Sequence, residues 1–264
     1  MKKTIAMLLI SLFWFGSVLP MAYGQETLPP LGAAPGERLT FNIHWMGIPA
    51  GKAFMESRPA SSDQYLLMAG VESIGAVKFL YPIKDLLQAE GNVSAKGLTA
   101  RYYMKQQQRG DQSKLIEYRF DRQWGEAIRT QEGEEKLEIQ GVTPQISDLV
   151  TGFYGLRACR GLEPGANLYV PMLDGKKIYE VTATVEKRER LHTPLGWFDL
   201  LPVTINVGNS DLFRLQGSVV VWLTSDRRRM PVRVESRINF KSVAADLVAY
   251  VDGRGDHREL KEEK

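Results

Sequence analysis

The sequence predicts a mostly β protein: a single antiparallel sheet of about a dozen strands, curved or barrel-like, with one packed helix. Three observations predict this class. Apolar and polar residues alternate along many short runs, which is the period of two that a half-buried antiparallel strand shows. Glycine, proline, asparagine or aspartate separates these runs, as in hairpins. Only the segment from 147 to 160 has the spacing of an amphipathic helix.

The clearest strands form a meander at Gly217–Val251. Its middle run alternates an apolar face with a charged face that carries Arg233, Glu235 and Arg237. Lipid would demand apolar residues on such a face, so this pattern opposes the alternative of an outer-membrane barrel, as does the charged end of the chain. The preceding run, Ser218–Thr224, is apolar on both faces, and we expect it to lie deeper.

The other strands are expected in turn along the chain. Their predicted ranges are Arg38–Met46, Lys52–Ser57, Tyr65–Val71, Lys84–Val93, Leu98–Gln108, Lys114–Asp121, Trp124–Thr130, Lys136–Gln140, Asn167–Leu173, Lys176–Arg190 and Trp197–Val207. Residues 74–83 are apolar without alternation and contain Gly75 and Pro82. A loop or a short helical turn is therefore expected there, covering one end of the sheet.

The predicted helix has Ser147 as its N-cap and Asp148 in its first turn, where a negative charge suits the helix dipole. Apolar residues follow at i, i+4 and i+7, and Gly161 ends the segment. Gly152 and Gly155 each cost roughly 1 kcal/mol against alanine in a helix interior. We therefore expect the backbone of this helix to pack closely on the sheet.

The chain is expected to contain one domain behind an export signal. Lys2 and Lys3 precede an apolar run, and small residues precede a cleavage point after Gly24. An uncleaved N-terminal anchor is the alternative, although the apolar run is shorter than the roughly 20 residues of a spanning helix. The expected parts are a signal peptide (1–24), a flexible lead-in (25–36), a β-rich domain (37–251) and a charged, frayed tail (252–264).

Export places the protein in the periplasm of a Gram-negative envelope, with no transmembrane segment after signal cleavage. Removing Lys2 and Lys3 leaves 32 basic and 31 acidic residues, a balance that argues against nucleic acid as a partner. Cys159 is the only cysteine, so no intramolecular disulfide can form. It is expected to be a small buried hydrophobe near the end of the helix, with a reactive thiol as the alternative.

Motifs that carry enzyme chemistry are missing from the sequence. None of its three histidines has a second histidine or cysteine at metal-ligand spacing, and neither a nucleophile elbow nor a phosphate-binding glycine loop occurs. We therefore assign no catalytic, metal or cofactor residues and expect no cofactor. An enzyme stays the second hypothesis, a cell-wall or lipid hydrolase with a polar cleft where two or more of His44, Asp85, Asp148 and His192 converge.

Two short motifs have both a structural and a functional interpretation. Arg227-Arg228-Arg229 is the densest basic cluster, and it fits either a solvated hairpin turn or a site for acidic lipid headgroups or a protein partner. Ser225 and Asp226 favour the turn. The Arg-Gly-Asp at Arg254–Asp256 resembles an adhesion tripeptide, but it is too short a match to support that function.

Several longer motifs resemble one bacterial family, the domain of unknown function 3108. They are Gly36–Gly51 (GERLTFNIHWMGIPAG), Tyr81–Asp85 (YPIKD), Ser147–Arg157 (SDLVTGFYGLR), Thr193–Asp199 (TPLGWFD) and Trp222–Val234 (WLTSDRRRMPVRV). The likeness covers about Gly36–Val251. One departure is visible, since Asp148-Leu149 stands where the family pattern has Asp-Pro. The resemblance implies an exported, single-domain, barrel-like β protein of the envelope, and it implies no particular activity.

Our leading hypothesis is a non-enzymatic envelope protein that binds a hydrophobic ligand, a lipid, or an envelope partner protein. A curved sheet can enclose an apolar groove, and several aromatic residues lie on strands and beside turns. Ordinary core packing is the other interpretation of these residues. The third hypothesis is a structural scaffold without a pocket, and the sequence does not specify an oligomeric state. The candidate ligand-binding residues are Trp45, Phe79, Tyr81, Trp197 and Trp222.

Overall fold

The computed structural model describes residues 32–58, 60–61, 63–207, 219–238, 241–253 and 255–259. Within these residues it contains eighteen strands and two helices. The protein is therefore mostly β, as predicted, with more strands than the expected dozen. The predicted signal peptide, residues 1–24, and most of the predicted lead-in, residues 25–36, lie outside the described residues.

The first half of the chain is an antiparallel meander in which each strand pairs with the next. A one-and-a-half-turn helix, α1, interrupts it where the alternation of the sequence fails. The elements are β1 (Glu37–Trp45), β2 (Ile48–Arg58), β3 (Gln64–Ser73), α1 (Gly75–Leu80), β4 (Ile83–Ser94), β5 (Gly97–Arg109), β6 (Gln112–Asp121), β7 (Glu126–Gln131) and β8 (Leu137–Gln140).

The predicted helix follows, and a second antiparallel set of strands completes the fold. Its elements are α2 (Leu149–Ala158), β9 (Asn167–Tyr169), β10 (Met172–Asp174), β11 (Lys177–Tyr179), β12 (Val181–Val185), β13 (Glu189–Thr193), β14 (Gly196–Val207), β15 (Val219–Thr224), β16 (Pro231–Ile238), β17 (Lys241–Asp252) and β18 (His257–Glu259). The predicted meander at Gly217–Val251 is confirmed for its described part, because β15, β16 and β17 pair in succession.

Both halves belong to one sheet, joined where β1 pairs with β17. The order of the strands is β8-β7-β6-β5-β4-β3-β2-β1-β17-β16-β15-β14-β12-β9, with β13 added to β14 and β18 to β17. In the described part of the chain, the end strands β8 and β9 are not paired with each other. The expected barrel is therefore not closed.

The apolar side of the sheet packs against α2, so the predicted packing of one helix on the sheet is confirmed. A first core cluster joins α2 to β3–β7 around Tyr65, Tyr103 and Tyr118. A second joins the helix to β12, β14 and β15 through Leu156. A third lies at the junction of the two halves and includes Leu39 of β1. Only the first two clusters contain residues of α2.

Lys176–Arg190 does not form the single long strand that its alternation predicts. Its residues belong to β11, β12 and β13. β11 pairs with β10, whereas β12 and β13 pair with successive parts of β14. The β12–β14 ladder stops at the pair Val185–Val203, beside Pro202. Because proline has no backbone N–H, it cannot donate a hydrogen bond to that ladder. The strand is therefore interrupted after Val185.

Two further boundaries differ from the prediction. β2 begins at Ile48 and not at Lys52, so the first hairpin turn is only Met46-Gly47. Part of the tail that was expected to be frayed is paired, because β18 adds to β17 through the pair Val251–His257. Arg254 of the Arg-Gly-Asp tripeptide and residues 260–264 lie outside the described residues.

Candidate functional site

The N-terminus of α2 is built around a fully buried carboxylate. Asp148 is the N-cap, where its Oδ1 accepts a hydrogen bond of 2.8 Å from the backbone N–H of Thr151. The predicted cap, Ser147, lies one residue before it. Burial raises the pKa of Asp148 to about 6, because the low-dielectric interior disfavours the charged form. Its Oδ2 has no hydrogen-bond partner among the described residues.

Two buried tyrosines belong to the same region of the core. The hydroxyl groups of Tyr65 and Thr151 are hydrogen-bonded at 2.9 Å. Tyr103 is fully buried, and its hydroxyl has no partner among the described residues. Burial raises the pKa of both tyrosines. They therefore stay neutral and supply polarity without charge.

A cavity of about 180 Å³ lies between α2 and the second half of the sheet. Within the part of the chain that the structure describes, every residue around it is apolar or glycine, and these residues expose no polar surface inside it. Helix residues on one side face β12, β14, β15 and β16 on the other. Its walls are formed by Leu149, Gly152, Phe153, Leu156, Val170, Met172, Val181, Ala183, Ile205, Val219, Val221 and Val234.

A larger groove of about 780 Å³ adjoins this cavity. It runs along α2 between the β4–β5 turn and the segments that follow β8 and β9, on the open side of the sheet. Gly152, Leu156 and Val170 line both spaces. Lys96 is the only charged residue among the described residues that line the groove. We call the two spaces together the α2 site. Its outer part, the groove, contains polar residues, and its inner part, the cavity, is apolar.

The two glycines of α2 serve this site instead of a close contact with the sheet. A Cβ at Gly152 would approach Met172 Cε to 3.0 Å and Ser147 Oγ to 3.1 Å, both outside the main sheet. A Cβ at Gly155 would meet nothing within 4 Å. The expected close approach of helix and sheet is found, because α2 lies against β3, β4 and β5, but these two glycines do not produce it. Because Gly152 and Gly155 have no side chains, they leave the groove open along this face of α2.

The five aromatic candidates from the sequence do not meet at one place. Trp45 ends β1, and Phe79 and Tyr81 lie at the end of α1, where their side chains are 87% and 63% exposed. Trp197 begins β14 and lies edge-on to His192, with ring centroids 5.1 Å apart. Trp222 lies on β15 and donates a hydrogen bond from its indole N–H to Glu189. None of the five lines the α2 site.

The four residues of the hydrolase hypothesis lie on four separate elements. Asp85 of β4 pairs with Arg109 and lines a different groove, of about 510 Å³, across β1–β5. His44 Nδ1 lies 3.9 Å from Asp246 Oδ2, and His192 contacts Trp197. Asp148 is buried as a helix cap. No contact described here joins any two of the four, so the structure offers them no common polar cleft.

The arginine cluster fits its structural interpretation for two of its three members. Arg228 forms ion pairs with Asp226 and Asp256, each at 2.8 Å. The Arg229 guanidinium donates to the carbonyl oxygens of Arg157 and Cys159. It thereby caps the C-terminus of α2, where a cation is favourable. Cys159 itself is half-exposed and lines the groove, so the expectation of a buried thiol is wrong.

Within the described ranges, no three His, Cys, Asp or Glu side chains are grouped so that they could hold a metal ion. A helix with the length and hydropathy of a membrane span is likewise not found in this part of the chain.

The family model described as "Protein of unknown function (DUF3108)" matches residues 40–248. No curated protein matches the chain. Among solved structures, it is similar to a beta-barrel-like protein of DUF1849 from Brucella abortus, with a TM-score of 0.54 and 10% identity over 82% of this chain and 97% of that one. It is also similar to a hypothetical protein from Chlamydia trachomatis, with a TM-score of 0.40 and 8% identity over 89% and 95%. The first likeness shows a shared fold and nothing further.

Proposed function

The chain belongs to the DUF3108 family of proteins of unknown function, and we propose that it binds the acyl chain of a lipid in the α2 site without transforming it. The cavity behind α2 carries this proposal. It is lined by apolar residues alone, and water gains no hydrogen bonds in such a space. Empty apolar cavities of about 150 Å³ stay dry and bind groups the size of benzene. A space of about 180 Å³ therefore suits the methyl end of a hydrocarbon chain.

The adjoining groove provides for the rest of such a ligand. Its volume of about 780 Å³ falls within the roughly 300–1,000 Å³ of typical ligand pockets. A chain that enters past Gly152 and Leu156 lies against Ile146, Leu168 and Ile178 on its way out. Its polar head then reaches the mouth, where Lys96 is the nearest available charge. A lipid with an acyl chain and an anionic or hydroxylated head group therefore matches the site, with its chain in the apolar cavity and its head group at the polar mouth.

The proposed compartment is the periplasm. The basic and apolar segments at residues 1–24, followed by small residues at a cleavage position, support export. An exported protein in a Gram-negative envelope meets lipids on two membranes, so acyl chains are available to it. The proposal thus combines the localisation expected from the sequence with the chemistry of the α2 site.

A fluorescent fatty acid titrated into the purified mature protein tests the proposal. The decisive variant is Ala183→Leu, because Ala183 lines the cavity and leucine adds three carbons to it. We expect at least about tenfold weaker binding, or about 1.4 kcal/mol. The matched control is Ala76→Leu, which makes the same change at an exposed position of α1 and should bind like the wild type.

Alkylation of Cys159 locates the ligand independently. Because this thiol lines the groove and is the only cysteine in the sequence, a bound chain should slow its reaction with a maleimide in the wild type and in Ala76→Leu. Ala183→Leu should lose this protection. Equal affinity of all three proteins for the fatty acid would contradict the proposal, and a folded wild type that binds neither fatty acid nor lysophospholipid would favour the scaffold hypothesis.

A further inference from the structure

Five large apolar side chains are exposed together at one end of the sheet. Met46 and Ile48 flank the β1–β2 turn and are 57% and 58% exposed, and Phe79, Leu80 and Tyr81 at the end of α1 are 87%, 65% and 63% exposed. We call these five residues the apolar rim. Exposed apolar groups that adjoin one another are uncommon on monomeric proteins and mark sites of interaction.

Backbone hydrogen bonds hold the turns of this end side by side. The N–H of Ile74, just before α1, donates to Ala50 of β2 at 3.0 Å. On the other side of α1, the N–H of Gly110 in the β5–β6 turn donates to Pro82 at 3.0 Å. The hairpin and α1 are therefore fixed side by side, with α1 lying against β2, and the five rim residues are all exposed at this end of the sheet.

The helix α1 is conspicuous because it contains no buried residue. Its sequence, GAVKFL, is nevertheless mostly apolar. A helix this short is not stable through its own hydrogen bonds, and helices in globular proteins usually form by packing an apolar face. Here the large apolar residues Phe79 and Leu80 point to solvent, so packing within the described chain does not explain them.

We infer that the apolar rim docks the protein on a lipid bilayer surface. The rim side chains project from the β1–β2 hairpin and from α1, and they line neither the α2 site nor the groove across β1–β5. A bilayer can accept projecting side chains of any shape, whereas a protein partner requires a surface of complementary shape. Phe79 and Tyr81 are aromatic, and aromatic rings favour the membrane–water interface.

The charges around the rim fit an anionic lipid surface. Between residues 74 and 83 the only charged side chain is Lys78, and its long stem allows the ammonium group to reach the headgroups while its neighbours insert. The nearest acidic residues along the chain are Glu72 and Asp85. Asp85 is paired with Arg109, and Glu72 stands opposite Lys52 on β2 and Lys84 on β4 in the strand ladders. Basic residues near an apolar surface add electrostatic attraction to membranes that contain anionic lipid.

Docking through the rim also fixes the orientation of the α2 site. β4 starts beside α1 and ends at Ser94, which lines the groove. A strand of 12 residues is about 40 Å long. The groove would therefore open far from the bound membrane, toward the aqueous space or a second surface. The apolar rim and the α2 site share no residue, so membrane docking and acyl-chain binding can be present or absent independently.

Vesicle co-sedimentation tests the inference, with vesicles of phosphatidylcholine alone or mixed with phosphatidylglycerol. The wild type should sediment with both, and more strongly with the anionic mixture. The double variant Phe79→Ser/Leu80→Ser should bind at least about tenfold more weakly, because it removes the inserted apolar area. Lys78→Gln should lose only the preference for the anionic vesicles.

The matched control is Trp124→Ser, because Trp124 is 70% exposed in the turn after β6, at the other end of the sheet. It should sediment like the wild type. Ala183→Leu should also keep its vesicle binding, whereas Phe79→Ser/Leu80→Ser should keep its affinity for fatty acid. A wild type that ignores both vesicles, or that self-associates through the rim in a way the double variant abolishes, would overturn the inference.

Discussion

Arg157 and Glu37 form a bidentate ion pair in the interior of the protein, with Nη1–Oε1 and Nη2–Oε2 distances of 2.7 and 2.8 Å. The Arg157 side chain is fully buried, and that of Glu37 is 3% exposed. Arg157 also donates from Nε to the carbonyl of Arg229 at 3.0 Å and from Nη2 to that of Arg228 at 3.2 Å. One side chain thus ties the last turn of α2 to the start of β1 and to the β15–β16 turn.

Replacing this arginine should destabilise the protein strongly. Arg157→Met leaves the Glu37 carboxylate buried without its partner and two carbonyl groups without their donor. We expect a loss of about 3–5 kcal/mol in the free energy of unfolding, measured by urea denaturation. The double variant Glu37→Leu/Arg157→Met should recover part of that loss, because it also removes the stranded charge.

Arg38→Met is the matched control for Arg157→Met. The Arg38 side chain is 59% exposed, and its contact with Glu56 is 3.4 Å. An exposed pair of this kind contributes less than about 1 kcal/mol. Equal losses for the two arginine variants would show that burial does not decide the strength of these contacts.

The buried cap Asp148 should make stability depend on pH. Its pKa is about 6 in the folded protein and 3.8 as the reference value, so the folded state binds a proton more tightly than the unfolded state. The associated stability is fully present below about pH 3.8 and is lost as the pH rises through about 6, a total of about 3 kcal/mol. At pH 7 this cap therefore destabilises the fold relative to its protonated form.

Asp148→Asn isolates that contribution, because asparagine keeps a side-chain oxygen for the N–H of Thr151 and carries no charge. Relative to the wild type, the variant should lose about 2 kcal/mol of stability between about pH 7 and about pH 4. Urea denaturation at a series of pH values measures the difference in stability between the variant and the wild type. The contributions of the other carboxylates are the same in both proteins and cancel in this difference. A constant difference across this range would contradict the raised pKa.

Two glycines that look alike in the sequence should respond oppositely to alanine. A Cβ at Gly91, beside the bulge in the β4–β5 ladder, would lie 2.1 Å from the carbonyl oxygen of Thr99. Gly91→Ala should cost about 2–3 kcal/mol or more, because backbone must move. Gly155→Ala meets nothing within 4 Å and should stabilise α2 by about 0.5–1 kcal/mol. Thermal denaturation should show a lower melting temperature than the wild type for Gly91→Ala and a higher one for Gly155→Ala.

Alternation of residue types was sufficient to predict most strands, because a strand that buries one face imposes a period of two. The same rule failed at 176–190, where the interruption comes from Pro202 on a partner strand and not from the segment itself. Local sequence also cannot show that Glu37 meets Arg157, since 120 residues separate them. Contacts of that kind arise from topology.

The candidate site was harder to predict than the fold for a related reason. Aromatic residues drew attention because they often line pockets, yet here Phe79 and Tyr81 project into solvent. The apolar cavity of the α2 site is instead lined mostly by valine, leucine, isoleucine, alanine and glycine, together with Phe153 and Met172, and these are also the residues of any ordinary core. The one local feature of the sequence that lies at this site is the pair Gly152 and Gly155, which are unusual in a helix interior. That these glycines line a groove follows only from the folded structure.

Whether the interior behind α2 is hollow can be measured by stability alone. Ala183 and Ala89 are 1% and 0% exposed, and both lie on strands that face the core, but only Ala183 lines a cavity. Ala89→Leu should cost about 1–3 kcal/mol, because three added carbons have no space in a packed core. Ala183→Leu should leave the free energy of unfolding unchanged or raise it, since its added methyl groups fill empty apolar volume. Urea denaturation of both variants without ligand gives the comparison. An equal loss in both would mean that the space behind α2 is closed in solution, and the proposed acyl-chain site would then have no room for its ligand.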